Sequence, residues 1–264
     1  MLISAEKWRK EFKVDEIVKF VFPFLENGCL NSTYRNFDFK EKEEVDKYYP
    51  QYYHKMDKVC FSSFFKAFAR LLEKNTIFIY SIQFIQDGRP LYIECIGNLN
   101  MTALNAVTTT ERQLQRLVVE YEISFNKRLP ACSTFIGHPV ETFCTILDLG
   151  GVSLSNFYHV KDYIFAAASI GQLRYPETMG KFYIINASWA FSAIWAMIRP
   201  WLDEVTAAKI EIVGGGYKEV LLKQIPKENI PKEFGGECEC VGGCSMSNAG
   251  PWNVEGGKEK ILES

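Results

Sequence analysis

The stretch Phe182-Tyr-Ile-Ile-Asn-Ala-Ser-Trp-Ala-Phe-Ser-Ala-Ile-Trp-Ala-Met-Ile198 runs without a charge between Lys181 and Arg199. Its reading decides the fold. It is about the minimum length for a membrane-spanning helix. Yet it contains Asn186, Ser188 and Ser192, and it opens on the β-branched and aromatic Phe182-Tyr-Ile-Ile185. It therefore reads as a buried strand that turns into an apolar helix, not as a span.

Working outward, the same alternation recurs. Leu91-Tyr-Ile-Glu-Cys-Ile96 follows the turn Asp87-Gly-Arg-Pro90 and predicts a strand. Glu111 to Arg128 predicts a helix, because Leu114, Leu117, Val118, Tyr121 and Phe125 recur at spacings of three and four, and Pro130 is expected to stop it. Phe143-Cys-Thr-Ile-Leu147, closing on Asp148 and Gly150-Gly151, predicts a second strand, and Asn156 to Tyr175 a second helix. After the strand Phe182 to Ile185, Ala190 to Met197 starts a third helix that breaks near Pro200. Lys209-Ile-Glu-Ile-Val213 predicts a fourth strand, ended by Gly214-Gly-Gly216, and Tyr217 to Gln224 a last short helix before Pro226. Strands alternating with helices need crossover connections, so the expected architecture is α/β with a mostly parallel, buried sheet.

The length of 264 residues suits one α/β domain, or one with a small lobe. The 47% hydrophobic and 23% charged fractions exclude global disorder. With 30 basic and 32 acidic residues, bulk electrostatics give no support for a nucleic-acid partner. Eight cysteines are too sparse for a disulfide scaffold, and the opening Met1-Leu-Ile-Ser-Ala-Glu-Lys-Trp-Arg-Lys10 lacks a signal-peptide pattern, so a reduced, cytosolic chain is expected.

The first third is different. Phe20 to Arg35 and Val59 to Gln86 have no clean period, and their 44 positions hold nine of the 20 phenylalanines. Tracts such as Phe61-Ser-Ser-Phe-Phe65 and Thr76-Ile-Phe-Ile-Tyr80 read as neither solvated loops nor patterned elements. Structureless stretches of this length count against being part of a compact domain.

A set of motifs in order carries a resemblance: Asp87-Gly-Arg-Pro90, Arg128-Leu-Pro-Ala-Cys-Ser133, Met179-Gly-Lys-Phe-Tyr-Ile-Ile-Asn-Ala187, Leu221-Leu-Lys-Gln-Ile-Pro226 and Pro231-Lys-Glu-Phe-Gly-Gly236, preceded by Glu6-Lys-Trp-Arg-Lys10 and Tyr49-Pro-Gln-Tyr-Tyr-His-Lys55. From Asp87 to Asn253 the chain resembles the CRAL-TRIO lipid-binding family, and within it the fungal phosphatidylinositol/phosphatidylcholine transfer proteins of the secretory pathway. The departures from that family define the expected organisation. Residues 1–39 are a remnant of its N-terminal helical lobe with an insert at about 20–35, with Met1 as an internal start. Residues 40–243 are the CRAL-TRIO domain, with an insert at 59–86, and residues 244–264 are a C-terminal tail. In the family, the sequence around Tyr49 to Lys58 runs directly into the Asp-Gly-Arg-Pro motif. Here the intervening stretch opens on Val59-Cys60, encodable as GTATGT, and closes on Ile85-Gln86, whose last codon can be CAG. These edges suit a translated intron, and a genuine lineage-specific loop is the alternative.

The resemblance implies a carrier that shelters two acyl chains in an apolar pocket. Each buried methylene is worth about 0.8 kcal/mol, so two chains amount to tens of kcal/mol, and the pocket has to rival the bilayer and open at it. Trp189 to Leu202 is the expected door. On pattern alone it is a buried core helix; with the resemblance it is the gate, with Trp195, Ile198, Trp201 and Leu202 at the membrane interface. Glu177 and Lys209 read alone are surface charges. The motifs Tyr175-Pro-Glu177 and Asp203-Glu-Val-Thr-Ala-Ala-Lys209 match the family's inositol-phosphate end, which implies ligand roles for Glu177, Thr206 and Lys209, and for Asp57 on that side. Tyr53, Tyr92 and Tyr121 match tyrosines that surround a choline ammonium, and Thr145 matches a phosphate-holding hydroxyl. Two further hydroxyl positions are replaced, by Phe143 and Gly171. The phosphatidylinositol mode is therefore expected to persist and the phosphatidylcholine mode to weaken.

Other chemistries find less support in the sequence. Cys238, Cys240 and Cys244 form a Cys-x-Cys-x-x-x-Cys cluster, but a closed zinc site needs a fourth ligand and none of His54, His138 and His159 is near in sequence, so no metal is expected and the cluster reads as a loop of small residues. Gly151-Val-Ser-Leu-Ser155 lacks nucleophile-elbow spacing, Gly214-Gly-Gly-Tyr-Lys218 is not a P-loop, and Cys132 and Cys144 have no His/Asn partner in sequence. The expectation is a non-enzymatic, cofactor-free monomer that exchanges phosphatidylinositol, and another phospholipid or a sterol, at Golgi or endosomal surfaces and presents lipid to phosphoinositide kinases. Two alternatives stand beside it: a binder of another apolar ligand such as a sterol, and an inactive or regulatory fragment.

Overall fold

The computed structural model describes residues 2–21, 39–58, 87–97, 99–152, 154–189 and 191–253. The insert expected at 59–86 lies outside the described residues, as does that at 20–35 apart from positions 20 and 21. Helices α1 (Leu2–Glu11), α2 (Val14–Val21) and α3 (Lys42–Tyr48) precede strand β1 (Gln51–Met56). After β2 (Pro90–Cys95) come α4 (Met101–Val107), α5 (Thr110–Ile123) and α6 (Leu129–Ile136), then β3 (Phe143–Asp148), α7 (Leu154–Arg174) and β4 (Met179–Ile185). Next are α8 (Phe191–Ile198), α9 (Glu204–Ala208), β5 (Ile210–Ile212), α10 (Tyr217–Gln224) and the short α11 (Cys244–Ser247).

Among the described residues the strands form one five-stranded sheet in sequence order. β1 pairs antiparallel to β2, and every later pair is parallel and helix-connected, as the alternation required. The uncharged run Phe182–Ile198 divides into the end of β4 and all of α8, and among the described residues no helix is long and apolar enough to cross a membrane.

Pro130 does not stop its helix. Ser124–Arg128 widen into a π turn that leads into α6, with Pro130 in the first turn, where a missing N–H is tolerated. Gly137, left-handed at φ +83°, ends α6 instead.

Period-2 alternation gives the sheet two different faces. On one, Leu91, Ile93, Cys144, Ile146, Tyr183 and Ile185 are buried under Tyr217, Leu221 and Ile225 of the α10 region and under Ile230 and Phe234. The other carries Tyr53, Tyr92, Phe143, Leu147, Phe182 and Ile184 toward the layer of α5–α8. At the N-terminal side, Trp8, Phe12 and Val14 pack on Leu114, Leu117 and Val118 of α5. The fold continues through the segment expected as tail, since Trp252 is buried and the Lys55 amide donates to the Ala249 carbonyl at 2.6 Å.

Candidate functional site

Three groups of predicted residues fall on the second face of the sheet or at its rim. The first is polar. The turn between α7 and β4 places Glu177 at φ +62°, and the end of α9 places Lys209 just before β5. The two side chains meet, with Lys209 Nζ 3.8 Å from Glu177 Oε2. Glu177 is 86% exposed, so the pair is weak as a stabilising contact and open to a ligand. Thr206 stands in the same segment. Asp203 caps α9, accepting from the Thr206 amide at 2.8 Å and from its hydroxyl at 2.6 Å. The Thr206 hydroxyl oxygen keeps acceptor capacity.

Asp57 differs from these three. It has no exposed surface. It accepts from the Arg89 amide at 2.6 Å, from Arg89 Nη1 at 3.1 Å and from Gln224 Nε2 at 2.9 Å. Arg89 also pairs with Asp87 at 2.7 Å and donates to Thr142 Oγ1 at 2.9 Å. Burial pushes the Asp57 carboxyl up to about 6 despite Arg89 and Gln224. Asp57 is thereby tied into the fold: its oxygens accept from Arg89 beside β2 and from Gln224 of α10.

The second group is aromatic. The Tyr53 and Tyr92 ring centroids lie 4.9 Å apart, and Phe143 lies 6.0 Å from Tyr53 and 6.5 Å from Tyr121. Thr145 is buried beside them, registered with Tyr92 on β2 and Phe182 on β4. The two replaced hydroxyl positions converge on Tyr121: Phe143 touches its ring, and a Cβ at Gly171 would stand 3.0 Å from its hydroxyl. A cation already holds part of this cage. The Arg128 guanidinium sits 3.9 Å above the Tyr53 ring, anchored by Glu120 at 2.9 Å and the Ser124 hydroxyl at 2.9 Å. Burial pushes the Tyr53 hydroxyl up to about 12 and those of Tyr92 and Tyr121 upward too, so all three stay neutral donors.

The third group is apolar. Phe191 and Ile194 of α8 are buried against Ile184 and Leu149, while Trp195, Met197 and Ile198 are half-buried beside them. Trp201 and Leu202, just beyond, are also half-buried, and Trp201 stacks edge-on to the exposed Phe165 of α7 at 5.2 Å. An uncharged helix with much of its surface in water is expensive unless a membrane or ligand takes it up. Gln172 clasps this segment to α7, donating to the Trp201 carbonyl at 3.1 Å and accepting from the Asp203 amide at 3.3 Å.

Comparisons with known proteins identify the family. The profile of the CRAL/TRIO domain family matches residues 74–236. The chain belongs to the CRAL/TRIO family. A Schizosaccharomyces pombe protein named Sec14 cytosolic factor is 45% identical over 255 residues, covering 97% of this chain and 74% of that one. A Kluyveromyces lactis protein of the same name is 44% identical over 258 residues, covering 97% and 71%. An Arabidopsis thaliana protein named phosphatidylinositol/phosphatidylcholine transfer protein SFH12 is 35% identical over 249 residues, covering 93% of this CRAL/TRIO chain and 38% of its own length.

The sequence reading missed Gln172, Arg89 and Arg128. The last two lie inside motifs that were legible, but their roles depend on partners 32 residues away in the case of Asp57 and on a ring of β1 in the case of Tyr53. Gln172 gives no local signal. As for nucleophiles, burial pushes the Cys132 thiol up to about 12 and the Cys144 thiol well above its ordinary range, which leaves both inert.

Proposed function

We propose that this chain binds one glycerophospholipid at a time, phosphatidylinositol foremost, and exchanges it between membranes without chemical change. The observation that carries the reading is the pairing of an apolar, half-exposed helix, α8, over one sheet face with an accessible acid–amine pair, Glu177 and Lys209, at the rim of the sheet just before β4 and β5. Acyl chains would lie under α8, and the phosphate would replace Glu177 as the partner of Lys209. Thr206 and Glu177 would hydrogen-bond the inositol hydroxyls. Trp195, Ile198, Trp201 and Leu202 would enter the membrane interface as α8 swings out, with the Gln172 clasp as its tether. The work is done on the cytoplasmic side of Golgi or endosomal membranes, where released phosphatidylinositol reaches phosphoinositide kinases.

Phosphatidylcholine is the poorer ligand on this reading. Phe143 supplies no donor where a hydroxyl would hold the phosphate, and Arg128 competes for the face of Tyr53. Native mass spectrometry of the purified chain with lipid extraction tests the whole. One phosphatidylinositol per chain is the expected result; a co-purified sterol would move the ligand class, and an empty chain that transfers nothing would end the proposal. Phe143→Ser is expected to raise phosphatidylcholine transfer several-fold, measured between labelled vesicles.

A further inference from the structure

The three cysteines of the C-terminal segment do have a fourth companion, contributed by an element nearly two hundred residues earlier. Strand alternation sends Tyr53 toward the lipid-side face and His54 the other way, into the C-terminal segment, where it is fully buried. Cys238 is fixed by its backbone N–H, which donates to the Ile230 carbonyl at 3.0 Å. The chain then reverses through Gly242 and Gly243, left-handed at φ +79° and +93°, with the Gly243 amide on the Cys240 carbonyl at 2.9 Å, and this returns Cys244 to the cluster. One ligand atom from each of His54, Cys238, Cys240 and Cys244 lies within 4.8 Å of all the others.

Three details favour a metal ion over a packed thiol cluster. Cys238 Sγ and Cys240 Sγ are 3.7 Å apart. Two sulfurs on one tetrahedral zinc, at about 2.3 Å each, would be separated by about 3.8 Å, whereas a disulfide needs about 2.05 Å. His54 Nε2 is buried with no hydrogen-bond partner among the described residues. The other ring nitrogen, Nδ1, is met by the Ser247 hydroxyl at 3.3 Å, the kind of second contact that orients a ligating imidazole.

We propose that His54, Cys238, Cys240 and Cys244 form a closed Cys3His site for one structural zinc ion, which fastens the C-terminal segment to β1. Binding would displace three thiol protons to solvent and leave the imidazole neutral. The ion would hold the segment that seats Trp252 against Tyr53, whose ring centroids are 6.5 Å apart. It would thereby brace the back of the candidate site without touching lipid.

The test uses the full chain, expressed with zinc and purified under reductant without chelator. Elemental analysis is expected to give one zinc per chain. His54→Gln and Cys240→Ser should abolish it, while Cys132→Ser, a buried cysteine outside the cluster, should keep it. Ser247→Ala should weaken zinc affinity by about 10–100-fold. Should a ligand variant fail to fold, cobalt(II) titration of the reduced wild-type chain decides by itself: a tetrahedral thiolate spectrum saturating at one equivalent supports the site. No stoichiometric zinc together with no such spectrum would overturn it. So would full zinc retention in both His54→Gln and Cys240→Ser, or a mass two hydrogens short that places a disulfide in the cluster.

Discussion

The two faces of the central sheet are built from the same alternating strands, yet they are finished differently. Under α10, Leu91, Ile93, Ile146, Ile185, Leu221 and Ile225 are all but sealed from water. Under α7 and α8, the covering residues Trp195, Met197 and Ile198 stay half in solvent, and Phe165 and Leu173 are exposed. One face is a core that holds the fold; the other is closed by a layer that leaves apolar side chains half in water. On the proposed reading, this difference in burial would separate stability from lipid exchange within one sheet.

The largest effect is expected where the end of β1 meets the start of β2 and α10. Asp57, Arg89 and Gln224 tie the β1–β2 hairpin to α10, and Asp57→Ala leaves Arg89 without one of its buried partners. Breaking such a pair should cost about 3–5 kcal/mol of unfolding free energy, measured in urea. The sign with pH is specific. Because burial raises the folded pKa of Asp57 to about 6 from 3.8, its contribution favours the fold most below pH 4 and is lost as pH rises through about 6. Asp57→Asn should remove that part of the slope, and an unchanged slope would argue against a buried, committed Asp57.

Next comes the direct contrast of faces. Leu221→Ala on the sealed side should destabilise by about 2–5 kcal/mol. Ile198→Ala on the half-exposed side should cost about 1 kcal/mol while changing the rate of lipid exchange between vesicles. Equal stability losses would mean that α8 is an ordinary core helix, the reading its pattern alone supports.

A smaller change is expected from joining Lys58 directly to Asp87. The backbone is already arranged for it: the Gly88 amide donates to the Lys58 carbonyl at 3.0 Å and the Asp57 amide to the Arg89 carbonyl at 2.9 Å, with Gly88 at φ +55°. Removing the 28 positions 59–86 should leave both faces intact and raise stability by up to about 2 kcal/mol through a shorter closure. A deleted chain that fails to fold would favour a genuine lineage-specific loop, and a mature transcript retaining the stretch would rule out an intron.

How much of this was legible follows from how local each signal is. The parallel strands and α10 are runs whose own period decides their state, and Tyr217–Gln224 forms over the expected residues. β1 carries no strand signal of its own, because the run of Gln51-Tyr-Tyr-His-Lys-Met56 does not alternate in polarity and takes its pairing from β2. Pro130 misled because a π turn upstream places it in the first turn of α6, where it is harmless. Glu177 and Lys209 were found by motif and are joined by the turn before β4 and the end of α9. His54 is distant in sequence from the cysteines, and only the return of the C-terminal segment along β1 brings it to them.

The smallest stability effect should accompany one of the sharpest functional losses. Lys209 is 28% exposed and Glu177 86%, at 3.8 Å, so their mutual attraction is worth at most about 1 kcal/mol and is screened by salt. Lys209→Ala should therefore unfold within about 1 kcal/mol of the parent. Lys209 nonetheless offers the candidate rim an accessible cation for a lipid phosphate, where a charge-assisted bond in a partly desolvated site is worth more than the surface pair it replaces. Phosphatidylinositol transfer should fall at least tenfold, and Glu177→Gln, which keeps hydrogen-bonding atoms but releases Lys209, should fall less. If Lys209→Ala transferred phosphatidylinositol at the parental rate, the rim would be ordinary surface and the half-exposed face would need a ligand without a charged head.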